Sequence, residues 1–517
     1  MARPASGRGT GGGALDQRVC EAAAAGDLDS LRRLHRHGAR LDTRDNEPLC
    51  RAAAAGHLEL VCYLHQQGAD ISARNNEPLR RAAAGKHSTV VQYLHESGAA
   101  TQLLSTEALH TIDQMKQELS AAPSVYHPSL FWEHMGEINE RVLNWSGEAE
   151  LKRTLNQNYF NFIPTGPDDP RMERIRRLMR HFDKSALKQC HIEDPDCDPG
   201  SWMSCYPGYF IFKEPNRATA RELYCEYLSL MFEYATQRDQ SGLLATLEEP
   251  QLGNPIRVHR DGRLVSQDLV NSVRERNSIL AALDVSRETP FIMAELGAGY
   301  GRLGYVMLKT TACRYVVFDI SPALYLSQWY LTTLFPDRRA FRFRRFDKFK
   351  EIEHELSQAD IAFFTPNQLA KFPSAYFDAF ATISSFHEMQ RNQINHYTTL
   401  MARTTRSTLY SKQQRDYVNP VDDLIIGKDD YPLPRGWSLR RDRIDLINPG
   451  FFEQVYRRTT PIQLHEPSVH ERACPECGAV IVLSEVQPRL GAFDLYLYQC
   501  PVCFEKYPVT LPAKARS

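Results

Sequence analysis

The chain has 517 residues, which allows three or four domains. It is 42% hydrophobic and 24% charged, as soluble globular proteins are, and its formal net charge of −1 excludes a global pull toward nucleic acid or an anionic membrane. No apolar run reaches membrane-spanning length, and twelve cysteines scattered outside one ordered group predict a reducing, cytoplasmic setting rather than a disulfide framework.

Residues 1–15, rich in Gly, Ala, Arg and Ser, read as a flexible tail. A repeat of 30 residues follows over 16–104. Gly38-Ala39 returns as Gly68-Ala69 and Gly98-Ala99, Leu34-His35 as Leu64-His65 and Leu94-His95, and Asn46-Glu-Pro-Leu49 as Asn76-Glu-Pro-Leu79. Each unit offers two short helical patterns and resembles a shortened ankyrin repeat, which implies a surface for a protein partner or a cap packed on its neighbour. His35, His65 and His95 recur at the repeat period, so they read as structural rather than metal-binding.

Residues 105–285 read as mostly helical. Met172–Arg180 forms a basic amphipathic pattern with a solvated face. Val265–Glu275 reads as a helix entering the next domain, with Ser266 placed to cap it.

Over 286–465 the pattern becomes α/β. Phe291-Ile-Met-Ala-Glu-Leu-Gly-Ala-Gly-Tyr-Gly-Arg302 is a strand, a tight turn and a helix start. A dinucleotide fingerprint needs its third glycine three places after the second, where Arg302 stands instead. Glu295 before the turn suits a cation better than a pyrophosphate. The stretch resembles the first motif of Rossmann-like methyltransferases, which implies S-adenosylmethionine as cofactor, held by Glu295, Gly297, Gly299 and Gly301. Arg314–Asp319 reads as the second strand, with Asp319 placed for ribose hydroxyls. Pro322 opens the next helix. Asp360–Gln368 is a third strand that offers Asn367 to an adenine ring, Phe377–Phe386 a fourth, and Thr408–Gln413 a fifth.

Gly253-Asn-Pro255, Ser266–Ser272, Glu295–Leu303, Ser385-Phe-His-Glu-Met389 and Tyr410-Ser-Lys-Gln413 together resemble the sugar O-methyltransferase family of bacterial polysaccharide loci, over about 120–460. The resemblance implies a sugar or glycan acceptor and a Rossmann-like class I methyltransferase sheet. A hydroxyl acceptor gains from a base beyond a strand's carboxyl end, and His387 holds that place. Plant small-molecule O-methyltransferases are similar there. Glu388 is placed to orient the imidazole or bind a sugar hydroxyl; Lys412 and Gln413 are further sugar contacts.

Cys474-Pro-Glu-Cys477 and Cys500-Pro-Val-Cys503, 22 residues apart, flank alternating apolar runs and read as a zinc ribbon over 468–510, with four thiolates closing a structural Zn²⁺ site. Zinc ribbons often bind nucleic acid, and Arg338–Arg345 interleaves cations with aromatics. That segment also reads as a strand with a buried phenylalanine face, the preferred reading. RNA ribose methylation is one alternative function. Another is an ankyrin adaptor carrying an inactive methyltransferase fold. The Asn/Asp-Pro-Pro turn of base-methylating enzymes is absent, since the chain has no Pro-Pro pair.

Overall fold

The computed structural model describes residues 12–99 (save 86), 104–154, 166–193, 217–419, 421–432, 434 and 436–459, with three further strands beyond them, Val482–Gln487, Phe493–Gln499 and Lys506–Pro512.

Three helix pairs build the N-terminal stack: Gly12–Ala25 with Leu28–Arg36, Thr43–Ala54 with Leu58–Gln66, and Ala73–Ala84 with Ser88–Glu96. The first helix begins inside the stretch expected to be a tail. Each second helix ends at a glycine of positive φ, Gly38, Gly68 or Gly98, the left-handed position that lets the chain turn back. In the recurring Asn-Glu-Pro motif, Asn46 and Asn76 also take positive φ, so the true helix begins after them and Pro48 and Pro78 fall in its first turn. The repeating histidines join neighbouring units: the His35 and His65 Nδ1 atoms lie 2.9 Å from the hydroxyls of Tyr63 and Tyr93.

The domain expected to be α/β is a mixed eight-stranded sheet. Its strands are β1 (Phe291–Leu296), β2 (Cys313–Phe318), β3 (Ala340–Phe341), β4 (Ile361–Phe364), β5 (Phe377–Ile383), β6 (Thr405–Gln414), β7 (Trp437–Ile444) and β8 (Phe451–Arg458). Their spatial order is β3-β4-β2-β1-β5-β6-β8-β7. The first six named strands run parallel; β8 enters antiparallel between β6 and β7. The chain leaves β1 toward β2 on one side and later returns on the other through β5, so the order reverses between β1 and β5. In open α/β sheets such a reversal opens a crevice at the carboxyl ends.

Side chains alternate across the sheet. Met293, Val317 and Phe363 pack with helices Gln267–Leu283, Arg302–Thr310 and Ala323–Leu334, whereas Ala294, Phe318 and Phe364 pack with helix Arg391–Thr404. The result is a three-layer sandwich. Ser266 caps its helix as expected, accepting from the Leu269 N–H at 3.0 Å.

The structure adds to the sequence expectations in three places. Residues 105–285 also hold a small antiparallel sheet, His191–Ile192, Val258–Arg260 and Arg263–Val265. Arg338–Arg345 pairs only at Ala340–Phe341, although the alternation holds: Phe341 and Phe343 are buried while Arg342 and Arg344 are exposed. The C-terminal hairpin gains a third strand, Lys506–Pro512, against Phe493–Gln499. Among the described residues no helix is long and apolar enough to cross a membrane.

Candidate active site at the sheet crest

The glycine turn carries out the sequence's demand for unusual backbone. Gly297, Gly299 and Gly301 have φ of 75°, 59° and 92°, a region costly to side-chain-bearing residues. At Gly297 space is lacking as well: a Cβ would fall 2.3 Å from Ser385 Oγ, so the turn after β1 and the turn after β5 touch. Ser384 pays for that proximity with a left-handed φ of 54° in a residue that is not glycine.

Asp319 ends β2 beside this turn. Its Oδ2 accepts the Gly299 N–H at 2.8 Å and its Oδ1 the Ile320 N–H at 2.7 Å. Burial raises its pKa to about 7 against the lowering effect of these donors. Glu295 lies elsewhere. It points to the helix-packed face, is 2% exposed, and accepts the Tyr315 hydroxyl, and burial raises its pKa to about 8. Asn367 is the second residue of the short 3₁₀ turn after β4; its Nδ2 donates to Glu118 at 3.0 Å, while its buried Oδ1 has no hydrogen-bond partner among the described residues.

His387 is fully buried in the turn after β5. Gln413 organises that turn: its Oε1 accepts the N–H groups of Ser385 at 3.1 Å and Phe386 at 3.0 Å, and lies 3.3 Å from His387 Nδ1. Gln413 is thus a support for the turn, not a surface for a sugar. An amide oxygen only accepts, which assigns the imidazole proton to Nδ1 and leaves the lone pair on Nε2. That Nε2 has no hydrogen-bond partner among the described residues and lies 3.6 Å from Glu388 Oε1. Burial lowers the His387 pKa to about 4, so the ring is neutral at pH 7. Burial raises Glu388 to about 8.

The sequence reading missed the cover over this crest. Trp132 Nε1 donates to Glu388 Oε2 at 3.1 Å, and Ser129 Oγ donates to the Glu388 carbonyl at 2.8 Å. Asp422, from the loop after β6, accepts the first N–H groups of helix Leu130–Ser146 at Leu130 and Phe131. Val142 of that helix packs against both the sheet core and the repeat core. No local pattern announces these contacts, because their partners lie more than 250 residues away.

On the other side of the reversal a small cleft, open to solvent, lies among helix Gln267–Leu283, Arg302 and the ends of β5 and β6. Lys412 lines it, as do Arg302 and Glu275. Glu275 receives Arg302 at 2.6 Å and Lys412 at 2.9 Å, and this pairing holds its carboxyl below the usual range despite burial. Asn271, inside the Ser266–Ser272 motif, also faces the cleft, a contact the motif could have suggested.

Cys474, Cys477, Cys500 and Cys503 lie outside the described residues. Among the described residues no group of three or more His, Cys, Asp or Glu side chains gathers as a metal site. No curated protein matches the chain. Residues 19–104 match the model of the ankyrin repeats, in three copies, a module that typically mediates protein–protein contact.

Proposed function

We propose that the chain is an S-adenosylmethionine-dependent O-methyltransferase acting on a sugar or sugar-containing acceptor, built on a Rossmann-like sheet. The observation that carries this reading is the crest itself: three left-handed glycines, the first pressed against Ser385, at the strand-order reversal, with Asp319 beside them. The residues fit a nucleoside. Asp319 retains lone pairs for ribose hydroxyls, the glycines admit a ligand to the backbone, and the buried Asn367 Oδ1 offers an acceptor for an exocyclic amine. Asp319 and Asn367 are more than nine-tenths buried, so entry displaces cover, Glu118 at Asn367 among it. Glu295, enclosed with Tyr315, supports the turn from below rather than meeting a ligand directly.

When bound, the cofactor supplies an electrophilic methyl group on a sulfonium. The chain's share is placement and proton removal. We assign proton acceptance to His387 Nε2, kept unprotonated by burial, with Glu388 alongside. The low pKa makes this imidazole a weak base, so alignment of the acceptor oxygen supplies most of the rate. A structural Zn²⁺ held by Cys474, Cys477, Cys500 and Cys503 is part of the proposal; in sequence they flank the described hairpin Val482–Gln487/Phe493–Gln499. The repeat stack is proposed to hold a protein partner.

Calorimetry with S-adenosylmethionine tests the reading. Asp319→Ala should weaken binding by about 1.5–3 kcal/mol. His387→Ala should cut turnover by about 10²–10⁴ and leave cofactor affinity unchanged. Absence of any cofactor binding to the wild-type chain would remove the enzymatic reading.

A further inference from the structure

The cleft beside the crest has a one-sided hydrogen-bonding chemistry. Lys412 is 6% exposed and its ammonium makes two ion pairs, with Glu275 at 2.9 Å and Asp445 at 3.1 Å. An ammonium has three donors, so one is left without a partner among the described residues, on a side chain that lines the cleft. Arg302 spends its Nη1 on Ser272 and Glu275 and its Nη2 on Glu275 at 3.4 Å, and its Nε lies 3.8 Å from Asp268 Oδ1, which leaves one N–H of its five-donor fork over. Tyr227 is 2% exposed and lines the same cleft, and its hydroxyl has no hydrogen-bond partner among the described residues. Asn271 and Ser384 add neutral polar groups at the rim. The carboxylates that balance the cations are spent on them: Glu275 also lines the cleft, but only 1% of its side chain is exposed, and Asp445 is also held by Arg274 at 3.1 Å. The wall that a ligand meets therefore presents unmet donors and few acceptors. Buried donors without partners are costly, and an anionic acceptor relieves that cost more than a neutral one does.

We infer that this cleft receives a carboxylate of a bound small molecule, gripped by Lys412, Arg302 and the Tyr227 hydroxyl. Two sources supply that chemistry: the amino-acid end of S-adenosylmethionine, or an acid group on the acceptor sugar. The inference rests on the methyltransferase reading only in the first of these.

Calorimetry on the full chain distinguishes them with two probe pairs, S-adenosylmethionine against its decarboxylated form and glucuronate against glucose. In one pair the carboxylate-bearing member should bind about 10–100-fold more tightly. Lys412→Met should erase that preference, and Tyr227→Phe, which keeps the ring and its packing, should reduce it. A preference in the first pair assigns the carboxylate to the cofactor; one in the second assigns it to the acceptor and stands even if the cofactor does not bind. Cofactor binding with no preference in either pair overturns this inference and leaves the methyltransferase reading intact. A preference that survives in both variants overturns it likewise; failure of all four probes to bind overturns this inference and the methyltransferase reading together. Should Lys412→Met not fold by circular dichroism, Tyr227→Phe alone decides, and an unchanged preference there is a negative result.

Discussion

In the N-terminal stack, hydrogen bonds between units join residues 24 to 33 apart, as between Asp70 and Asn46, His35 and Tyr63, or His57 and Ala24. At the sheet crest the bonds that shape the candidate site span 249, 256 and 292 residues, from Asn367 to Glu118, Trp132 to Glu388 and Leu130 to Asp422. The stack is held by one local solution used repeatedly, so each unit adds its own interface. The crest is held by single contacts that exist only when distant segments have met, so strain and buried polar groups concentrate there. Both regions use left-handed glycines, and two of them differ in what stands beside them: Gly68, in the turn that closes a repeat, faces open space, whereas Gly297 faces Ser385.

The sharpest test of that difference removes a single organiser. Gln413→Leu strands the buried N–H groups of Ser385 and Phe386 and should cost roughly 2–5 kcal/mol, read as a lower urea midpoint. A loss under 1 kcal/mol would mean the turn after β5 holds itself. Next comes a matched glycine pair. Gly297→Ala combines a positive φ with a close contact and should cost about 2–4 kcal/mol and abolish methyl-donor binding. Gly68→Ala, with φ of 91° and nothing in its way, should cost about 1–2 kcal/mol. Equal losses would erase the contrast between the regions.

A pH measurement probes the buried acid beneath the turn. Glu295 is raised to about 8, so between pH 4.5 and 8 the folded chain holds a proton that the unfolded chain releases. Its stabilising contribution is complete at low pH and is lost as pH rises toward 8. Between pH 6 and 8 the wild type should therefore lose about 2–3 kcal/mol relative to Glu295→Gln, seen as converging and crossing melting temperatures. Parallel curves would show an ionised Glu295. The smallest effect belongs to the stack. Tyr63→Phe removes one hydroxyl from the His35 bond between units and should cost about 0.5–1.5 kcal/mol in a thermal melt, without altering cofactor binding.

Much of the fold was legible because its signals are local. The 30-residue spacing of Gly38, Gly68 and Gly98 repeats a backbone need, and all three adopt the left-handed turn. Apolar runs at Phe291, Arg314, Asp360 and Phe377 marked β1, β2, β4 and β5 because strands buried on both faces read as continuous apolar segments. Their polar ends marked the crest. The reading faltered where a residue's partner was distant. Gln413, one place from Lys412, was grouped with it as a sugar contact, yet alternation along β6 sends Lys412 to the cleft and Gln413 to the turn after β5. Glu295 looked available to a cation, but the same alternation buries it against Tyr315. Trp132, Ser129 and Tyr227 carried no signal at all.

The amino-acid order by itself determined the repeat period, the strand succession and the positions where only glycine relieves the backbone, since each follows from the preferences of adjacent residues. Only the tertiary structure decided which side chains converge: the helical cover over Glu388, the orphaned lone pair of His387 and the donor-lined cleft at Lys412. Burial and partnership depend on what the rest of the chain brings alongside, and no window of neighbouring residues contains that information.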